Sequence, residues 1–369
     1  MIHSAIHERC PGGKLVRLQR FAAARRVALL VLILFVACGQ LSAQEMPHLP
    51  AARTNHAVAA GRVNGAWQVF AMLGVDSTRK WSGISRRAWV WRDGTPGWRE
   101  LPNVPGPVGR LAATAQVVRG RVYLLGGYAV DSMGTERTIG ALDIYDARRN
   151  VWTSGATIPV AVDDAISGVY RDSLIYLVSG WHDTDNVRNV QVYDVVHDRW
   201  SAATPIAGLG VFGHSGALAG NRIVYIDGAR RNATFPRYVN EPQAWMGTIQ
   251  PHRPDSIAWR RLTPHPQSVR YRAAAGTCGS FVLFAGGTDD PYNYDGIGYD
   301  SVPAAPLTSV IALDTRTSAW RVLHDAPVAT MDHRGLVVRR DTARIVGGMH
   351  DRQLVSADVV RWKLGGCHS

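Results

Sequence analysis

Val122-Tyr123-Leu124-Leu125-Gly126-Gly127 is an apolar, strand-forming run that stops on two glycines. Its recurrence decides the fold. The same pattern returns as Ile175-Tyr-Leu-Val-Ser-Gly180, Ile223-Val-Tyr-Ile-Asp-Gly228, Val282-Leu-Phe-Ala-Gly-Gly287 and Ala343-Arg-Ile-Val-Gly-Gly348, with a degenerate first copy at Val69-Phe-Ala-Met-Leu-Gly74. Downstream of the first five copies come Trp98, Trp152, Trp200, Trp259 and Trp320, spaced 54, 48, 59 and 61 residues apart. Repeats of this length mark units that cannot bury their apolar faces alone and must stack on their neighbours.

A finer register sits inside each unit. Trp91 and Trp98, Tyr145 and Trp152, Tyr193 and Trp200, and Leu313 and Trp320 are all seven residues apart. That distance fits the end of one strand, a tight turn such as Asp93-Gly94, and the start of the next. The fourth unit departs from this register through a longer insert with His252 and Pro254. Leu101-Pro102, Ile158-Pro159 and Ala326-Pro327 follow as punctuation that ends an outer strand.

These residues resemble the kelch repeat: a diglycine strand, an aromatic, then tryptophan. The resemblance covers about residues 45–364 and implies an all-β, six-bladed kelch-type β-propeller around a central channel. The sixth unit lacks an outer tryptophan strand. The expectation is therefore a ring closed by the mature N-terminal strand, Glu45-Met-Pro-His-Leu-Pro50, pairing in the last blade and removing an open sheet edge.

Ahead of the repeats, Arg25-Arg26 precedes the ten-residue apolar run Val27–Val36 and then small residues. This is the pattern of an export signal, too short for a comfortable membrane span. The domains are thus a signal peptide at 1–43 and a single propeller at 44–369. Two ends of the signal stay open: cleavage after Ala43, or a lipobox at Phe35-Val36-Ala37-Cys38-Gly39 with a lipid anchor on Cys38. The expected location is the periplasm or the extracellular space, and the expected assembly a monomer. Cys278 and Cys367 belong to the folded part, where an oxidising compartment allows a disulfide between them.

The chain has a formal charge of +12, of which +5 falls in the first 43 residues. The remaining arginines are scattered and no nucleic-acid motif accompanies them, so nucleic acid is not an expected partner. The partner expected is a small-molecule or glycan ligand.

Counting back sixteen residues from the first position of each diglycine pair places Arg110, Asp163, Val211 and Arg270 at the channel mouth, with His214 three residues after Val211 and Arg272 beside Arg270. Blade one adds Arg53 and His56; blade six adds Asp332, His333 and Arg334. With blades three apart facing each other, Arg110 lies across from Arg270, His56 from His214, and Asp163 from Asp332. Arginine forks match carboxylates and aspartates accept from sugar hydroxyls, so the mouth suits an anionic or polyhydroxylated ligand. The structural alternative is that these side chains bond neighbouring backbone. The long segment Thr288–Ser309 adds Tyr292, Tyr294 and Asp295, which suit stacking and hydroxyl binding.

Two relatives in the kelch family sharpen the functional expectation. Galactose oxidase needs a Tyr-His pair and a tyrosine–cysteine crosslink. No Tyr-His dipeptide occurs here, so no copper and no other cofactor or metal is expected. The N-acetylneuraminate epimerase, a sugar mutarotase, carries a catalytic glutamate and arginine after the second strand of blade four. Here Arg230 and Arg231 stand in that place and Glu241 comes later, which makes Arg230, Glu241 and His214 the catalytic candidates. The reading is a carbohydrate- or acidic-sugar-binding propeller, with a mutarotase and a protein-interaction platform as alternatives, and whether it is an enzyme stays open.

Overall fold

The computed structural model describes residues 45–365; the export signal, Cys38 and Cys367 lie outside them. From Met46 onward the described residues form one compact unit. Six small antiparallel sheets stand in a ring. Blade one is Ala57–Val63, Ala66–Met72, Ala88–Arg92 and Trp98–Glu100; blade two is Thr114–Val118, Arg121–Leu125, Leu142–Asp146 and Val151–Ser154. Blade three is Ile166–Tyr170, Leu174–Val178, Val190–Asp194 and Arg199–Ala203; blade four is Ser215–Ala219, Arg222–Ile226, Ala244–Gln250 and Arg253–Arg261. Blade five is Ala274–Cys278, Phe281–Ala285, Val310–Asp314 and Ala319–Val322. Blade six contributes Val337–Arg339, Thr342–Val346 and Val359–Lys363 among the described residues. Each inner strand packs beside the next, and that of blade six beside that of blade one.

The second strands read as nearly unbroken apolar runs because a neighbouring blade covers each face; Val69 to Met72 are all buried. The glycine that ends each run serves the ring. The N–H groups of Gly74, Gly127, Gly180, Gly228, Gly287 and Gly348 donate to Arg110, Val162, Val211, Arg270, Thr330 and Arg53 carbonyls at 2.8–3.2 Å. Each bond runs from one blade to the next, and the last returns to the first. At Gly127 the requirement for glycine is geometric. Its φ is +90°, and a Cβ would sit 2.5 Å from the Leu111 carbonyl oxygen, so a side chain would meet both strain and a clash.

The tryptophans fasten the outer rim. The seven-residue pairs are directly opposed across the third and outer strands, with Tyr145 and Trp152 ring centroids 5.2 Å apart and Tyr193 and Trp200 5.1 Å apart. The indole N–H groups of Trp152, Trp200, Trp259 and Trp320 donate to Pro102, Ala156, Thr204 and Thr263 carbonyls, each just after the preceding blade's outer strand. Trp98 makes the same bond, at 2.9 Å, to Pro47. Met46 and Leu49 are buried against Val58, Val337 and Val346, and Leu49 N–H donates to the Ala357 carbonyl at 2.8 Å. Residues 46–49 thus meet blade one where other blades meet the end of an outer strand.

Cys278 closes the inner strand of blade five and is disulfide-bonded; its expected partner, Cys367, lies outside the described residues. Cys278→Ser and Cys367→Ser are each expected to lower stability by about 2–4 kcal/mol and to give equal melting temperatures. Equal stability of wild type with and without dithiothreitol would contradict this. Among the described residues no helix is long and apolar enough to cross a membrane.

Candidate functional site

At each blade the chain reaches its inner strand through one isolated β-bridge and then one residue turned to positive φ. The bridges are Thr54 to Val75, Leu111 to Tyr128, Asp163 to Trp181, Phe212 to Ala229, Tyr271 to Thr288 and Met331 to Met349. The turned residues after them are Asn55, Ala112, Asp164, Gly213, Arg272 and Asp332. These six are the equivalent positions around the channel mouth. The sixteen-residue count therefore slips by one in blade three, because its first hairpin turns through Arg171-Asp172-Ser173 where blade two needs only Arg119-Gly120. Asp164, not Asp163, faces Asp332.

Arg272 lies between those two aspartates and ties them together. Its Nη2 and Nε donate to Asp164 at 2.6 and 3.2 Å, and its Nη1 to Asp332 at 3.2 Å. Arg334 donates to Asp164 at 2.5 Å and to Asn55 Oδ1 at 2.6 Å. Thr54 donates to Asp332 at 2.7 Å. Burial alone would raise the Asp164 carboxyl, but Arg272 and Arg334 outweigh it and hold it below its ordinary value. Burial likewise works against the Arg272 charge, and Asp164 with Asp332 among its neighbours more than restores it. Tyr271 and Tyr292 cover the guanidinium at 4.9 and 5.2 Å from their centroids. The result is a two-plus, two-minus plug across the mouth. Beyond it the inner strands enclose a cavity of about 340 Å³ that includes Arg334.

The other expected mouth residues have separate employment. Arg110 bonds Asp143 of its own blade, and Arg270, fully buried, donates to Gly286 and Ser309 of its own blade. Arg53 is buried and lies 5.6 Å over the Trp89 ring. His56, His214 and His333 are all buried. Burial lowers His56 to about 3, helped by Arg53 and Arg334, and lowers His214 to about 4. Burial, with His56 and Arg334, pushes His333 well below its ordinary value. Neutral and enclosed, His214 serves packing rather than proton transfer. Its Nε2 lies 3.1 Å from the Val178 carbonyl.

The long blade-five segment caps the plug. Tyr292 is fully buried on Arg272, and Tyr294 packs with Val75, Leu111 and Tyr128. The Asp295 carbonyl accepts from Arg79 of blade one at 2.6 Å. Tyr292 is therefore part of the cover and has no surface for a ligand. Arg230 and Glu241 do come together: the blade-four segment folds into the hairpin Ala229–Arg231 with Tyr238–Asn240, and Arg230 Nε donates to Glu241 at 2.8 Å.

Beside the cap, on the same face, lies an open pocket of about 350 Å³ built from four blades. Blade two supplies Gly134, Glu136 and Thr138, blade three Asp163, Trp181 and Asp183, blade four Arg237 and Tyr238, and blade five Asn293 and Tyr299. Glu136 and Thr138 share one face of a short strand, roughly 7 Å apart along it. Thr138 Oγ1 donates to Asp163 at 2.9 Å, and Thr138 N–H donates to Asp183 at 3.1 Å. Burial first, then the neighbouring Asp164, raises the Asp163 carboxyl well above its ordinary value. Partial desolvation also raises Glu136, although Glu136 keeps an exposed surface. Trp181, Tyr238 and Tyr299 form an edge-to-face wall, with centroids 5.3 and 4.5 Å apart. Of these ten residues only Asp163 was legible as a candidate. The short hairpin carrying Glu136 and Thr138 has no motif of its own.

Six four-stranded or three-stranded sheets in a ring, tied by glycines and rimmed by tryptophans, match the repeat seen in the sequence. The chain is a kelch-type β-propeller. Similar proteins bear the name: the kelch-like protein terF of Aspergillus terreus is 25% identical over 290 residues, covering 77% of this chain and 60% of that protein. Kelch-like protein 34 of Homo sapiens is 23% identical over 287 residues, covering 73% of this chain and 41% of that protein. The chain thus spans less than two thirds of the length of these relatives. No family model matches it. The solved structure of YjhT superposes with a TM-score of 0.67 at 15% identity, over 85% of this chain and 95% of that one. This likeness is one of fold.

Proposed function

We propose that this kelch propeller is an exported carbohydrate-binding protein whose ligand lies in the pocket of Trp181, Tyr238 and Tyr299. One observation carries the reading: three aromatic rings share a single open pocket with Glu136, Asp163, Asp183 and Asn293. Rings cover the apolar face of a sugar and carboxylates accept from its hydroxyls. The channel mouth itself is closed by the ion plug and Tyr292, which moves the expected site from the mouth to its rim.

In a thermal-shift and calorimetric screen of mono- and disaccharides, Trp181→Ala is expected to weaken binding at least about tenfold, and Asp183→Asn comparably, with the fold kept. Binding that survives both substitutions would remove the pocket from consideration. The half-buried Arg230–Glu241 pair favours a second reading, a sugar isomerase similar to the N-acetylneuraminate epimerase type, since acid–base work at an anomeric centre needs such groups in reach of substrate. Neither residue lines the aromatic pocket. Anomer exchange followed by NMR separates the isomerase from the binder.

A further inference from the structure

The balance of charge in the pocket says more about its ligand. Its lining holds three carboxyl groups and a single cationic side chain, Arg237. Arg237 is exposed, and its guanidinium stands 5.3 Å over the ring of Tyr238. A cation from the protein itself thus already occupies the face of one pocket ring. An aromatic face is a site of attraction for positive charge, most strongly where water is partly excluded. In the same lining Asp183 accepts from Thr138 N–H, and among the described residues neither Glu136 nor Asp183 forms a salt bridge, although Arg272 and Arg237 are close enough to act on Glu136. An acidic sugar would have to bring a further negative charge to this lining.

We propose that the pocket selects a protonated amine carried on a polyhydroxylated body, an amino sugar being the simplest such molecule. The proposal rests on the carbohydrate reading above and narrows it. The ammonium sits between Glu136, Asp183 and the ring of Tyr238, whose face Arg237 now covers, and the hydroxyls meet Asp163 and Asn293. Arg237 is then a tethered competitor that the ligand displaces. An ammonium beside Glu136 favours its carboxylate by charge attraction, against the burial that raises that carboxyl.

The test is calorimetry at pH 7 with three matched probes: glucosamine, glucose and N-acetylglucosamine. Glucosamine is expected to bind about tenfold more tightly than the two neutral sugars. Glu136→Gln with Asp183→Asn is expected to abolish that preference, and Arg237→Ala to strengthen glucosamine binding severalfold. Equal or tighter binding of the neutral sugars would overturn the amine selectivity and leave the carbohydrate reading standing. Failure of all three probes, and of the wider sugar panel, would overturn both. Weaker glucosamine binding by Arg237→Ala would show that Arg237 holds the ligand and would overturn the competitor role.

Discussion

Arg272→Met is expected to lower the stability of the propeller by about 3–5 kcal/mol, the range for breaking a buried ion pair by removing one partner. Arg272 is the only side chain of the plug bonded to both Asp164 and Asp332 among the described residues. Its loss leaves Asp332 with Thr54 alone and Asp164 with Arg334. Both carboxylates are almost wholly buried, so water cannot replace the guanidinium. Methionine keeps the aliphatic stem of the side chain and gives up the guanidinium that Tyr271 and Tyr292 cover, so the loss includes that contact. The triple variant Arg272→Met, Asp164→Asn, Asp332→Asn should recover part of the loss, because neutral amides at those places no longer strand a charge. Urea midpoints at pH 7 read both effects. A single substitution as stable as wild type, or a triple variant worse than the single, would show that the plug does not hold the six blades together.

The contrast between what the sequence disclosed and what it concealed has a physical origin. Glycine and tryptophan placements were legible because each answers a local demand repeated in every blade. Gly127 must adopt φ +90° against Leu111, and Trp152 must lie seven residues from Tyr145 to oppose it. The mouth obeys the same repeat only approximately. One extra turn residue at Arg171-Asp172-Ser173 puts Val162, not Asp163, in the place equivalent to Arg110, makes Asp163 the bridge residue and Asp164 the turned one, and a single position decides whether a carboxylate joins the plug or lines the pocket. The arginines were ambiguous for another reason. Arg110 and Arg270 differ from Arg272 only in which carboxylate or carbonyl lies within reach, and Asp143, Ser309 and Asp164 are brought there by the fold across 33, 39 and 108 residues. The pocket was hidden more deeply. Glu136, Asp183, Tyr238 and Tyr299 come from four loops with no shared motif, and only the ring brings them together.

Acid should unfold this propeller through its buried histidines, and the sign of the effect follows from the direction of their shifts. In the unfolded chain an imidazole takes up a proton near pH 6.5. In the folded protein burial lowers His56 to about 3 and His214 to about 4. Between those values and 6.5 the unfolded state binds more protons, so stability rises with pH and is lost as pH falls through that window. Each unit costs about 1.4 kcal/mol per histidine, or roughly 3 kcal/mol for His214 and somewhat more for His56 by pH 3–4. Asp163 acts in the opposite sense. Its folded pKa is raised, so it favours the folded state toward acid and offsets part of the loss. Comparison with non-titrating variants removes that background. His56→Leu fits an apolar place without a charge to acquire, and His214→Gln keeps a donor for the Val178 carbonyl. Relative to wild type, the double variant should gain stability steadily below pH 6.5, reaching several kcal/mol near pH 4, while the difference above pH 7 stays constant. Parallel stability curves for the two proteins from pH 7 to pH 4 would mean that these imidazoles reach a proton without opening the ring.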